Sequence, residues 1–265
     1  TDNVTASAPP LDRPRASHPF LLLLLSLLLR RRRRRPCRGC RRARSLRPPQ
    51  NRAGRRAPDY LAPARRKEIR GLLEANNLSL ASMLPAPGGG PGFNVASPMV
   101  EERMAAIDQY KKVADLCADL GGSTLLYVAG WQIFGTSRQQ AWDWSRSALE
   151  EIAIHAAGCG VTVVIEPTAA DSNLVDSCDD ALMLMRDVAQ PNVKLMFDTY
   201  HVIYRKEVSS DYVRRMGADL HHVHLADANR AAPSDAGKAD YRAIVADLKA
   251  LDFTGYLTME IGFDR

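Results

Sequence analysis

With 265 residues, 46% of them hydrophobic and 25% charged, the chain is long enough for one α/β domain with a sizeable core. The net charge of +6 suggests a polyanionic partner until it is divided: residues 1–56 hold 16 arginines and two aspartates of the 36 basic and 30 acidic residues, leaving 20 basic and 28 acidic in 57–265. An acidic body opposes a phosphate-tracking surface, so no nucleic-acid partner is expected.

The first segment differs from the rest. Phe20 to Leu29 is almost all leucine, Arg30 to Arg35 is unbroken arginine, and an Arg/Pro-rich stretch follows. The apolar run is shorter than the roughly 20 residues that cross a bilayer. Its positive charge follows it, the reverse of a secretory signal, so no membrane partner is expected either. A Leu/Arg/Pro/Ala bias of this kind is what a GC-rich coding region gives when read in the wrong frame. Residues 1–53 are therefore expected to lie outside the fold as an aberrant leader, without a period that makes a strand or a helix face. Residues 54–265 are expected to form the domain. Cys37, Cys40, Cys117, Cys159 and Cys178 are scattered, which fits a reducing compartment and a cytoplasmic location. Cys37-x-x-Cys40 lacks a second Cys or His pair at a suitable spacing and is not read as a zinc site.

From Gly54 onward helices and strands alternate. Residues 64–77 read as a helix with Ile69, Leu72 and Leu73 on one face, and 78–83 as a strand. The loop from Pro85 to Gly92 is almost entirely proline and glycine and suits an active-site lid. A helix over 99–120 buries a stripe of Met104, Ile107, Tyr110, Val113, Cys117 and Leu120 and stops at Gly121-Gly122. Strand 124–129, helix 137–157 and strand 161–166 follow. Ser177 with Asp180 resembles a capping box opening helix 179–189, before strand 193–198, a helix near 210–218, strand 221–226, a helix near 240–251 and strand 256–261. Six strands in this rhythm predict a TIM (β/α)8 barrel. It is expected to be incomplete at the N-terminus, where the leader stands in place of the first strand, first helix and second strand, and to lack the last helix, leaving an open edge.

Four of these strands end in metal-binding side chains: Glu166, Asp198, His224 and Glu260. The steps between them are 32, 26 and 36 residues, each about one strand-plus-helix unit, so the four ends recur as parallel neighbours would. Parallel strands of a barrel carry their chemistry on one rim. Three carboxylates and one imidazole suit Mn²⁺, Mg²⁺ or Co²⁺ better than a structural zinc. An ion that chelates the carbonyl and neighbouring hydroxyl of a ketose stabilises the enediolate left when a proton departs. Glu166 and Glu260 are the candidate acid-base pair that removes a proton from one face and supplies it on the other; which is base stays open. His222 falls on the same side of its strand as His224. His201, three residues past Asp198, is expected in a loop above the ion, and Trp131, just past strand 124–129, is a candidate apolar wall against a sugar face.

Glu166-Pro167, Asp198-Thr199-Tyr200-His201, His222-Val223-His224 with Arg230 six residues on, and Met259-Glu260 together resemble the sugar isomerase/epimerase family of xylose-isomerase-like barrels, which includes the ketose 3-epimerases. The resemblance covers roughly 54–265. It implies a metal-dependent sugar epimerase or isomerase with Glu166, Asp198, His224 and Glu260 on Mn²⁺ or a related ion, and with His201 and Arg230 on substrate oxygens. The expected partner is a small-molecule sugar, with a homo-oligomer left open. One departure stands out. Ketose 3-epimerases carry a second glutamate six residues after the first metal glutamate, and this position is Ser172, between Asp171 and Asn173. The substrate pocket is thus expected to differ. Rival readings are a dehydratase or aldose–ketose isomerase on the same metal scaffold, and an inactive metal-binding remnant. An apurinic endonuclease is opposed by the acidic body and by the missing additional histidines.

Overall fold

The computed structural model describes residues 22–25, 62–85 and 93–262. The expected lid beyond Pro85 and most of the segment 1–53 lie outside the described residues. Strand β1 (Leu22–Leu25) is followed by α1 (Pro63–Ala75), β2 (Leu80–Leu84), α2 (Val100–Asp119), β3 (Thr124–Tyr127), α3 (Arg138–Gly158), β4 (Thr162–Ile165) and α4 (Cys178–Val188). Then come β5 (Val193–Asp198), α5 (Thr199–Tyr204), α6 (Ser209–Met216), β6 (Leu220–Leu225), α7 (Tyr241–Ala250) and β7 (Tyr256–Met259). One sheet holds the strands in chain order, and β2 to β7 are all parallel. These six form the nearly closed barrel that the alternating pattern predicts.

Two elements correct the sequence reading. No strand was expected within 1–53, yet Leu22–Leu25 pairs with β2, antiparallel. A leucine run has no alternation to announce a strand, but the edge of β2 offers a row of backbone donors and acceptors that any extended segment satisfies. Its direction is not that of a (β/α)8 strand. The second correction is α5. His201 was placed in a loop, whereas Thr199 to Tyr204 turn as a short helix directly off β5, with Asp198 as N-cap: its Oδ1 accepts from Tyr200 N at 2.8 Å. The same side chain thus ends a strand and starts a helix, a dual role the motif alone does not reveal.

Elsewhere helix starts follow local chemistry. Ser137 opens α3 with a full capping box, its Oγ accepting from Gln140 N at 3.1 Å while Gln140 Oε1 accepts from Ser137 N at 3.0 Å. At α4 the Ser177 Oγ accepts from Asp180 N at 3.1 Å, but the Asp180 carboxylate accepts from Ser177 Oγ and from Asp176 N, so the reciprocal arm lands one residue early.

Every second strand residue faces outward to the helices. Leu125, Tyr127, Val163, Ile165, Leu195, Phe197 and Val223 join this outer core. The alternate residues Leu84, Leu126, Val164 and Met196 form a separate cluster inside the barrel. Burial on both faces is why the strands read as unbroken apolar runs. The barrel interior also holds His222, fully buried on β6. Its Nε2 lies 3.4 Å from Ser82 Oγ on β2 and 3.2 Å from Thr258 Oγ1 on β7, so the first and last parallel strands meet at one ring. No helix among the described residues is long and apolar enough to cross a membrane.

Phe197 is fully buried and its ring centroid lies 5.7 Å from that of Tyr212 on α6. Phe197→Ala should cost about 3–5 kcal/mol of stability, read as a lower denaturation midpoint with an unchanged slope in urea.

Candidate metal centre

The four predicted ligands come together. One donor atom each from Glu166, Asp198, His224 and Glu260 lies within 4.8 Å of all the others. Strand pairing places them: Asp198 sits opposite His224 in the β5–β6 register. Glu166 and Glu260 each stand one residue beyond their strands, and their amides still donate to neighbouring strands, to Tyr127 O at 3.0 Å and Leu225 O at 3.2 Å. Side chains on successive strands are therefore held at one level of the rim. Glu166, Asp198 and His224 are buried, Glu260 partly so.

His224 Nδ1 is 2.7 Å from Glu260 Oε2 and 3.7 Å from Glu166 Oε1. Arg230 Nη1 pairs with Asp198 Oδ2 and reaches Glu260 Oε2 at 3.1 Å. Three carboxylates in so small a volume disturb one another. Burial, with Glu260 and Asp198 close by, pushes Glu166 up to about 8 in spite of His224 and Arg230. Burial also raises Asp198 to about 6, against Arg230 and His224. Burial pushes Glu260 upward too, but the His224 hydrogen bond and the charges of His224 and Arg230 bring it down to about 2. Burial lowers His224, yet the Glu260 hydrogen bond and the three carboxylate charges leave it raised overall.

These shifts are a test of fit. A divalent cation would favour the ionised form of these crowded carboxylates, which burial disfavours. The buried His224 Nε2 is also without a hydrogen-bond partner. An oxygen-rich donor set with one imidazole suits a hard or borderline ion.

Arg230 is held by a strained turn. Asn229 and Arg230 are consecutive non-glycine residues with φ of 57° and 59°, a left-handed pair that persists where surroundings impose it. Asp227 imposes it by accepting from Ala228 N at 2.7 Å and Lys238 N at 2.9 Å, and Arg230 O accepts from Gly262 N at 2.7 Å. The guanidinium carbon then lies 4.2 Å from the Tyr200 ring centroid.

His201 lies beside this arginine, Nε2 to Nη2 at 3.4 Å, and its Nδ1 accepts from Ala170 N at 3.2 Å. Burial and Arg230 hold it down to about 3, so the ring is neutral. With Nδ1 accepting, the ring proton is on Nε2, facing Asp171 Oδ2 at 3.7 Å. Trp131 stands in the loop after β3, five residues beyond the strand's Leu126. It lines a cleft with Phe93, Tyr110 and Gly130 that none of the four ligands borders.

Sequence reasoning missed three residues here. Tyr200 was quoted within a motif without a role. Asp171, noted as a neighbour of Ser172, is the acid that faces His201. Asn94 carried no signal: fully buried, it clamps the loop after β3, its Oδ1 accepting from Trp131 N at 3.1 Å and Ala96 N at 3.0 Å and its Nδ2 donating to Trp131 O at 2.9 Å. Ser172, where the resemblance leads one to look for glutamate, has its hydroxyl on Gly130 O at 2.5 Å, knitting two loops together.

The chain belongs to the xylose isomerase-like TIM barrel family, whose model matches residues 45–264. It is similar to fructoselysine 3-epimerase of Escherichia coli O157:H7, 24% identical over 210 residues that are 77% of this chain and 76% of that protein. It is also similar to D-psicose 3-epimerase of Ruminiclostridium cellulolyticum, 28% identical over 203 residues, 73% of this chain and 67% of that one. Among solved structures, the apo 3-keto-D-glucoside 4-epimerase of E. coli superposes with a TM-score of 0.67 at 20% identity, covering 76% of this chain and 80% of that chain. These relatives are sugar epimerases, and so isomerases.

Asn94→Ala leaves the buried Ala96 amide and the part-buried Trp131 amide without their acceptor. It should destabilise the fold by about 1–3 kcal/mol and raise hydrogen exchange at Ala96 and Trp131, measured by mass spectrometry of digested peptides.

Proposed function

We propose that this chain is a divalent-metal-dependent sugar epimerase or isomerase acting on a ketose or a related sugar. The observation that carries this reading is the convergence of Glu166, Asp198, His224 and Glu260 within 4.8 Å. The names of the relatives support the same class.

Glu166, Asp198, His224 and Glu260 would hold the ion, Mn²⁺ by preference over Mg²⁺ or Co²⁺. When bound, it supplies positive charge against the enediolate that forms as the sugar loses a proton next to its carbonyl. The chain's own residues do the rest. Glu166 and Glu260 directly follow β4 and β7, with β5 and β6 between those strands, so they would approach a bound sugar from two sides. One removes the proton, the other returns one to the opposite face, and the centre inverts. The sugar's configuration decides which acts first.

His201 and Arg230 position sugar oxygens. The neutral His201 donates through Nε2, fixed in that tautomer by Ala170 N, and Arg230 offers a guanidinium braced on Tyr200. Trp131, in the loop after β3, is the candidate apolar wall against a sugar face. With Ser172 turned into the loop, Asp171 is the carboxylate left to face the substrate on that side, which separates this pocket from one built around a second glutamate. A small sugar as partner and the cytoplasm as compartment belong to the same proposal; Cys117, Cys159 and Cys178 are all unpaired, which suits a reducing environment.

The test is solvent exchange. Protein incubated with Mn²⁺ and a panel of ketoses in deuterated water should place deuterium at C3, and prior treatment with a chelator should stop it until Mn²⁺ is restored. Deuterium at C1 or C2, or loss of water from the sugar, would assign an isomerase or a dehydratase instead. Glu260→Gln should slow exchange by roughly 10²–10⁴-fold with the far-ultraviolet dichroism intact; full activity in that variant would remove Glu260 from the mechanism.

A further inference from the structure

A second group of ligating side chains lies on the helical face of the barrel. Helices α2 and α3 follow parallel strands β2 and β3 and pack side by side. Their outer seam is built from pairs 40 residues apart. Lys111 Nζ meets Glu151 Oε1 at 2.7 Å, and one turn later Asp115 Oδ1 meets His155 Nε2 at 2.8 Å. One further turn along α3, the C-cap residue Cys159 brings its Sγ to 3.2 Å from the same Asp115 Oδ1. His155 and Cys159, four residues apart, share one face of the helix. One donor atom from each of the three lies within 4.8 Å of the other two.

We propose that Asp115, His155 and Cys159 form a second metal site, which takes a borderline transition ion of the Zn²⁺ or Co²⁺ type with one position left to water. The donors differ in kind from those of the strand-end quartet. A thiolate, an imidazole and a carboxylate suit zinc, whereas a cluster of oxygens favours a harder ion. The site also lies on the other rim: Cys159 stands three residues before β4 begins, and Glu166 directly follows its end. Asp115 and His155 have half-open side chains, at 47% and 34% exposure, so an ion enters from solvent without opening the core. Burial, together with the carboxylates of Asp115 and Asp119, holds the Cys159 proton on sulfur in the free protein. On binding, the Sγ–H bond is replaced by an Sγ–metal bond and the proton passes to solvent, with no change of oxidation state. Asp115 and His155 exchange their mutual hydrogen bond for bonds to the ion, the His155 Nε2 proton passing to solvent or, through the neutral tautomer, to Nδ1. The product is a clip joining the last turns of α2 and α3, the region where a (β/α)8 barrel concentrates stability instead of chemistry.

Cobalt distinguishes the two sites. Titration of the full chain with Co²⁺ should give a thiolate-to-metal charge-transfer absorption that saturates at one ion per chain and is erased by added Zn²⁺. The quartet contains no sulfur and cannot produce this band. Cys159→Ser should abolish it. His155→Ala, which leaves the thiol in place, should weaken the affinity read from it by at least about tenfold. The double substitution Cys37→Ser, Cys40→Ser should leave it unchanged. Zn²⁺ should also raise the melting temperature of the wild-type chain more than that of Cys159→Ser. Absence of the band, its survival in Cys159→Ser, or its loss in the Cys37/Cys40 variant would overturn the proposal.

Discussion

Three carboxylates crowded round one imidazole are the constraint on which the upper rim of this barrel depends. In a buried setting like charges at such separations repel strongly, and burial first, with that repulsion added, shifts Glu166 and Asp198 toward neutrality. The arrangement persists because backbone pairing leaves the side chains no alternative position. Asp198 faces His224 across a register, and Glu166 and Glu260 are pinned by amides bonded to the strands beside them. A slip of one residue in any of these strands would turn its ligand out among the helices.

The interior below this rim is arranged to hold that register. Leu84, Leu126, Val164 and Met196 fill one part of the barrel. His222 fills another and touches both β2 and β7. Its ring meets that of His224 edge-on at 5.0 Å, so the residue that brings the two ends of the parallel sheet together also supports the imidazole of the metal centre. Burial and the neighbouring His224 and His221 keep His222 far below its usual range and therefore neutral, which fits its place among hydroxyl partners.

The loops after β3 and β4 are bonded to each other beside the strand-end quartet. Ser172 is bonded to Gly130 O, Asn173 Oδ1 accepts from Gln132 N at 2.8 Å, and Asn94 clamps Trp131 from beneath. The loops after β3 and β4 are thereby locked to each other, and Asp171 is left beside His201.

The amino-acid sequence by itself determined the alternation of helices and strands, the six parallel strands and the convergence of Glu166, Asp198, His224 and Glu260 at one rim. Each of these follows from local periodicity or from a side chain at a strand end, and parallel strands deliver such ends to one rim without further information. His222 was legible in the same way, through alternation from His224. What tertiary structure alone decided are contacts between segments distant in the chain: Asn94 on the loop 37 residues later, Arg230 folded back onto Asp198 and Glu260 through a strained turn, and β1 laid antiparallel on β2. His201 illustrates the boundary. Its place just past Asp198 was readable from the motif, but its place on a helix was not, because that helix is six residues long, has no apolar stripe to announce it and exists through the cap that Asp198 supplies.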